Sequence, residues 1–441
     1  MADLIAISLQ IPPQTVLKCR NRASRSVFLC VLAGFFTLNR AFNPAFNLES
    51  LMTYADRWLL PDGVEEILPA EAKAIDSLRR RLLDLYSTWG YDMVIPPLLE
   101  YTDSLLIGLG RDVDLLTFKV TDQLTGRTLG IRADITPQTA RMDAHSFKRK
   151  GANRLCYAGH VAHTRPKNPL ATRTPIQAGL ELYGEPGIAA DIEVVSLLLE
   201  SLQVAGLPRL HIDLGHIGIY RAIAADAGLT KVQEDTFFEL LQRKASTEIR
   251  AWVSANISDS AKAELFLALP TLAGNKTVLQ KARELFNGVK AVQVAVDQLD
   301  EVARVVEQRY PAAELYFDLG ELRGYHYLTG LVFAAFAPGY GNPIASGGRY
   351  DHIGEVFGRA RPATGFAVDI TAISKLGVLT KVGVPAIAVI ETGDVQQWQM
   401  VQNLRQQGQR IISVSSGADL AELGCDHQLL LQDGRYQVVA L

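Results

Sequence analysis

Cysteine is scarce in this sequence. There are four, Cys19, Cys30, Cys156 and Cys425, and none stands in a CxxC pair or at a metal-ligand spacing. That excludes a disulfide scaffold and a zinc framework, and it fits free thiols in a reducing, cytoplasmic compartment. The eight histidines form no HExxH or comparable ligand pattern, so no metal is expected. No P-loop, no GxGxxG and no legible Ser-His-Asp set is present, and nothing else calls for a cofactor. Repeats and low-complexity tracts are missing too. An excess of positive charge is also absent: 44 Lys and Arg stand against 47 Asp and Glu. A large nucleic-acid surface draws much of its affinity from basic side chains, so this balance argues against one. The apolar run at residues 26–38 is too short for a comfortable membrane span. A long leading segment and the lack of a small-residue cleavage site also speak against a secretory signal.

What remains is an ordinary soluble composition, 48% hydrophobic and 21% charged, in a chain long enough for two or three domains. Residues 1–51 read as a disordered or mis-called extension, with Met52 opening the folded part. Apolar Ile75, Leu78, Leu82 and Leu85 predict a helix over about 70–89, stopped by Gly90. Strands are expected at YDMVIPPLLEY (an edge or interface strand, given its two prolines), DLLTFKVTD, GRTLGIR, RLCYAGHVAH and ELYG. Others are expected at LHIDLGHIGIY, ELYFDLG, LTGLVFAAF and ATGFAVDIT. Pro137 sits near the first turn of a short helix in ITPQTARMDAHSF, and residues 188–206 form another helix ending at Gly206. Residues from about 221 to 311 read as an all-helical insertion. Strands before and after such a block suggest an antiparallel sheet holding an inserted helical subdomain, an α+β fold over 52–375. The tail, 380–441, reads as a small α/β element closed by a hairpin with Asp433-Gly434 at its turn.

Period-two alternation places Gln177, Gly179 and Glu181 on one face of a strand, with Gly179 leaving room between two polar side chains. With Asp134 and Thr136 nearby, two carboxylates and an amide facing a cavity suit a cationic amine and an imidazole. A solvated sheet face with salt bridges explains the same residues. In RGYHY, Arg323 suits a bidentate carboxylate clamp and Tyr327 a pocket wall, or else a turn with aromatic packing. GGRYD, residues 347–351, reads as a tight turn allowing close backbone approach to a ligand.

Several motifs in the right order give the chain a close resemblance to histidyl-tRNA synthetase, from about Trp58 to Ile373. PDGVEEILPAE is similar to the start of that family's motif 1, and IRADITPQTAR to its LRPEGT segment, with Asp134 where a Glu of that family contacts the amino group and Thr136 matching its Thr. PIQAGLE carries its histidine-contacting Gln and Glu onto Gln177 and Glu181. RGYHYLTGLVF aligns with RGLDYYxxTVF, carrying over Arg323 and Tyr327, while Leu328 and His326 depart from the pattern. GGRYD carries over Tyr350. The resemblance implies a class II synthetase-like antiparallel sheet with flanking helices and a histidine pocket made of these seven residues.

Two departures bear on function. VAHTRP places Ala162 or His163 where the family's motif 2 arginine grips the α-phosphate of ATP. GFAVDITAI places Thr371 and Ala372 at the motif 3 Glu-Arg. Losing one transition-state donor commonly costs about 10²–10³-fold, so losing two cations implies no useful aminoacylation. A second resemblance, over everything after Met52, is to the regulatory subunits of short-form ATP phosphoribosyltransferase, which keep HTRP and RGYHY-TGLVFAAF. It implies a synthetase-like dimer joined to the short catalytic chain as a hetero-octamer, with no tRNA and no membrane. This subunit would activate its partner in the first step of histidine biosynthesis and transmit feedback inhibition by histidine. An active histidine–tRNA ligase, a histidine-binding sensor with another partner, and an aminoacyl-transfer pseudoenzyme that modifies a protein are the alternatives; Arg323 favours the first.

Overall fold

Buried β-forming runs separated by glycine-rich turns pair into one nine-stranded sheet. The computed structural model describes residues 58–107, 111–147, 149–169, 171–207, 209–322, 324, 327–379 and 385–441. The N-terminal extension, Met52, Arg323 and His326 lie outside the described residues. The strands are β1 (Asp92–Met93), β2 (Leu99–Tyr101), β3 (Phe118–Thr121), β4 (Thr128–Ile131), β5 (Asn153–His160) and β6 (Ile176–Tyr183). They continue with β7 (Leu210–His216), β8 (Ala273–Gly274), β9 (Ala313–Asp318), β10 (Leu331–Phe336), β11 (Pro343–Arg349) and β12 (Ala363–Asp369). The large sheet runs β1-β5-β6-β12-β11-β10-β7-β9-β8, and β2-β4-β3 form a small separate sheet. From β5 to β7 every neighbour is antiparallel, whereas β1 and β9 add to the two ends in parallel.

Helices cover one face of this sheet. Helix α1 (Pro69–Thr88) starts with a proline in its first turn and Glu71 near its positive end. It buries Ile75, Leu78, Leu82 and Tyr86 at helical spacing, each such burial contributing about 1.5–3 kcal/mol. Tyr86 meets Phe366 of β12 edge-on at 6.1 Å, which marks the covered face as the one carrying Phe366 and its register partner Leu180. Two further helices follow, α2 (Thr136–Met142) and α3 (Ile188–Val204). The latter is apolar almost all round and buried almost all round.

The chain then forms α4 (Ile217–Asp226), α5 (Lys231–Gln242), α6 (Ser246–Asn256), α7 (Ser260–Ala268), α8 (Thr277–Leu285), α9 (Lys290–Arg309) and α10 (Ile370–Lys375). The apolar stripe of α9, from Val292 to Val306, belongs to the same continuous core as β5, β6 and β12.

The C-terminal residues form β13 (Ala386–Val389), α11 (Val395–Gln406), β14 (Ile411–Ser413), β15 (Cys425–Gln432) and β16 (Arg435–Ala440). This sheet, ordered β14-β13-β15-β16, has two small apolar clusters of its own. Asp433 and Gly434 both take positive φ, 49° and 73°, as a two-residue hairpin turn of the I′ kind requires.

Four expectations need correction. DLLTFKVTD is not one strand: Arg111–Leu116 is helical and pairing starts at Phe118, because the helix turns Val113 and Leu116 toward the cavity described below. The strand in LHIDLGHIGIY ends at His216, whose side chain accepts from the Gly218 amide at 3.1 Å and so caps α4. The helical insertion also contributes β8, which pairs with β9 at the sheet edge. GGRYD is not a turn through its glycines: Gly347 and Gly348 lie inside β11, paired with β10 and β12. They are bare because a Cβ would strike the Phe333 ring at Gly347 or the Leu331 carbonyl at Gly348, at 2.7 and 2.6 Å. Among the described residues Cys156 and Cys425 are free and buried.

Candidate functional site

The face of the sheet away from α1 carries small residues at register-matched positions. Gly179 of β6 pairs with Ala367, Glu181 pairs with Gly365, Gly365 with Gly348, and Ser346 with Ala334. That row of missing side chains leaves a cavity of about 280 Å³ above the sheet. Asp134 and Thr136 border it from the start of α2, His163 and Lys167 from the loop after β5, and Tyr327, Leu328 and Tyr350 from the far side.

Glu181 is the deepest charged group, only 1% exposed. Tyr157 stands opposite Gly179, where a Cβ would come within 2.6 Å of the tyrosine oxygen. Glycine there lets the phenol donate to Oε1 of Glu181 at 3.0 Å. Tyr350 donates to Oε2 from the other side. At Gly365 a Cβ would overlap the Glu181 carboxyl itself. The Tyr157 oxygen also lies 3.4 Å from Oγ1 of Thr136, so Thr136, Tyr157, Glu181 and Tyr350 form one polar chain. Burial pushes the Glu181 carboxyl up to about 8, with the Asp134 charge adding to the effect and the bonds from Tyr350 and Thr136 opposing it. Burial also raises Asp134, against the opposing pull of Lys167 and of the Ile135 amide, which donates to Oδ1 at 2.7 Å.

Two buried acceptors in this cavity have no partner among the described residues: Oε1 of Gln177 and Nδ1 of His163. His163 lies 3.0 Å through Nε2 from the Ala133 carbonyl, which can only accept, so Nε2 holds the ring proton and Nδ1 presents a lone pair. Burial, helped by Lys167, lowers this imidazole to about 4 and keeps it neutral. The cavity is therefore lined by two carboxyls reluctant to ionise and by two residues that each hold an unused acceptor. It is built to receive N–H donors, and a cationic one would repay the cost of ionising a buried carboxyl.

Of the seven residues singled out from sequence, Asp134, Thr136, Gln177, Glu181, Tyr327 and Tyr350 line this one cavity. Arg323 lies outside the described residues, between Leu322 and Gly324. Of the two residues at the place of the motif 2 arginine, His163 borders the cavity as a neutral acceptor; at the place of the motif 3 Glu-Arg, Thr371 is buried and accepts from the Ile176 amide at 3.0 Å, and Ala372 is buried beside it. The Ala372 amide donates to Asp369 at 2.9 Å in the N-terminal cap of α10. Tyr157 and Lys167 were not anticipated. Tyr157 becomes legible only once its register opposite Gly179 is known. Among the described residues no group of three or more His, Cys, Asp or Glu is placed to hold a metal ion, and no helix is long and apolar enough to cross a membrane.

The histidyl-tRNA synthetase family matches residues 63–373, and the ATP phosphoribosyltransferase subunit HisZ C-terminal domain matches residues 384–439. The chain is 75% identical over 391 residues to an ATP phosphoribosyltransferase regulatory subunit of Cellvibrio japonicus, covering 89% of this chain and 99% of that one. The chain belongs to the ATP phosphoribosyltransferase regulatory subunit family. A family member from Teredinibacter turnerae is 56% identical over 394 residues, covering 88% of this chain and all of the relative. Among solved structures, an ATP phosphoribosyltransferase regulatory subunit/histidyl-tRNA synthetase from Bacillus halodurans superposes with a TM-score of 0.72 at 26% identity. That match covers 83% of this chain and 95% of the other. The histidyl-tRNA synthetase of Nostoc shares the fold at a TM-score of 0.70 and 17% identity, covering 87% and 97%. In this regulatory-subunit chain the second family match begins just ahead of β13, where the small C-terminal sheet starts.

Proposed function

We infer that the chain is the non-catalytic, cytoplasmic regulatory subunit that switches on the short catalytic chain of ATP phosphoribosyltransferase and makes it sensitive to histidine. The catalytic partner joins ATP to phosphoribosyl pyrophosphate, the first step of histidine biosynthesis, and this chain dimerises within a hetero-octamer. One observation carries the reading. The cavity brings together side chains suited to an amine and an imidazole, while a neutral His163 acceptor and a buried Ala372 stand where the resemblance puts a synthetase's grip on nucleotide. A lone pair and a methyl group do not neutralise a triphosphate, so binding energy is directed to the amino acid rather than to adenylate chemistry. Histidine is the proposed ligand. Glu181, Gln177, Asp134 and Thr136 meet its amine and imidazole, Arg323 its carboxylate, and Tyr327 and Tyr350 form the walls. Histidine inhibits to the extent that it binds the active and inhibited assemblies unequally, and a coupling of about 1–3 kcal/mol gives useful control.

The deciding experiment assays the catalytic chain with and without this subunit while titrating histidine. Stimulation that histidine reverses is the expected result. A catalytic chain indifferent to this subunit defeats the reading, and histidine-dependent ATP–pyrophosphate exchange by this protein alone would instead make it a ligase.

A further inference from the structure

His163 is, with Ala162, one of two residues at the place of the missing phosphate-gripping arginine, and its geometry is that of a binding group. The side chain is 1% exposed and borders the cavity. Its ring orientation is fixed because Nε2 spends its only proton on the Ala133 carbonyl, and Ala133 directly precedes Asp134. That bond ties the imidazole to the segment presenting the Asp134 carboxyl. Nδ1 is left with a lone pair and no partner among the described residues. A buried acceptor without a donor costs free energy in the empty protein, and a ligand N–H recovers it. Lys167 also borders the cavity, but its field acts on the Asp134 and Asp369 carboxyls as well as on the imidazole, so the rim is not net cationic.

We propose that Nδ1 of His163 accepts a hydrogen bond from the α-ammonium group of the bound amino acid, beside the Asp134 carboxylate. This rests on the reading of the cavity as an amino-acid site and adds a residue to it. An ammonium carries three donors. Asp134 takes one as a charge partner and His163 takes another as a neutral, directional acceptor. The imidazole thereby selects ligands with a protonated amine over those with an anionic group at that end. A solvent molecule on Nδ1 is the competing account.

The test is calorimetric titration of the full-length protein with three ligands. These are histidine, histamine (amine kept, carboxylate removed) and 3-(imidazol-4-yl)propionate (carboxylate kept, amine removed). His163→Phe keeps a ring of similar size without the lone pair. It should weaken histidine and histamine by about tenfold or more, the usual worth of a hydrogen bond to a charged group. The amine-free ligand should change by less than about twofold. His163→Asn, whose amide oxygen can occupy the Nδ1 position, should restore most of the loss. If His163→Phe does not fold, His163→Gln serves instead, since it can keep the bond to Ala133 while leaving the Nδ1 position empty. Equal weakening of all three ligands, or no weakening, overturns the role of His163 while leaving the amino-acid site intact. Wild-type protein that binds none of them overturns the site and this inference together.

Discussion

The Tyr350 phenol donates to Oε2 of Glu181 across 169 residues of sequence, joining the end of β11 to the middle of β6. Tyr157 holds the other carboxyl oxygen, so the deepest acid in the cavity is gripped from both sides before any ligand arrives. Replacing Tyr350 with Phe leaves one carboxyl oxygen without its donor in a buried place. The expected loss is about 1–3 kcal/mol of folding stability, read as a lower denaturant midpoint at unchanged slope. Histidine affinity should fall as well. An unchanged midpoint would mean that the hydroxyl contributes nothing to holding the acid.

Histidine binding should depend on pH through Glu181. Its carboxyl, pushed up to about 8 in the empty cavity, is largely protonated at neutral pH. A cationic ligand favours the carboxylate, so binding expels a proton. Affinity should therefore rise by up to about tenfold per pH unit between roughly pH 6 and 8, then level off as the empty site ionises by itself. Titration in buffers of different ionisation enthalpy would register the released proton, and Glu181→Gln should flatten the profile. A flat wild-type profile would show that Glu181 keeps its proton in the complex.

Replacing Glu181 or Gln177 with Ala separates the two tasks of a regulatory subunit. Both variants should leave stimulation of the catalytic chain largely intact while weakening inhibition by histidine, because the side chains face the cavity from a sheet that keeps its backbone pairing. Full histidine sensitivity in both would put the effector site elsewhere.

Gly365 faces Glu181 in the register of β12 and β6 and has no room for a Cβ, which would meet the Glu181 carboxyl and the Leu180 carbonyl. Gly365→Ala should cost about 1–3 kcal/mol through overpacking and displace the acid, so that histidine affinity drops together with stability. Gly288→Ala, where a Cβ would meet nothing within 4 Å, is the control and should bind histidine as the wild type does. Normal binding by Gly365→Ala would show that the strands relax around the methyl group.

Arg349 is 7% exposed, with its Nε 2.9 Å from Oδ2 of Asp191 on α3 and Nη1 3.2 Å from Asp351. It adjoins Tyr350 in sequence and anchors the segment that aims the phenol at Glu181. Asp191→Ala should cost about 1–3 kcal/mol, because the buried guanidinium loses its closest carboxylate but keeps Asp351 and the carbonyls of Glu185 and Gly187. The melting temperature should fall, and a variant as stable as the wild type would show that solvent reaches Arg349.

Much of this molecule follows from local pattern. The spacing of Ile75, Leu78 and Leu82 makes α1, the Asp433-Gly434 pair makes the last hairpin, and period two puts Gln177 and Glu181 on one side of β6. These depend on short-range geometry, which neighbouring residues dictate. Motif order added the family, since each short motif is weak and their succession is not. Register and the choice of open face belong to tertiary structure alone. Gly347 and Gly348 look like a turn in sequence, and only pairing with β10 and β12 shows them to be a bare stretch of strand. Tyr157 is unremarkable until it lies across Gly179, and His163 is a bare substitution until Ala133 takes its one proton. Hydrogen bonds between residues far apart in the chain carry no periodic signature, so the sequence determined which groups are available and the fold decided which of them face the cavity with a lone pair to spare.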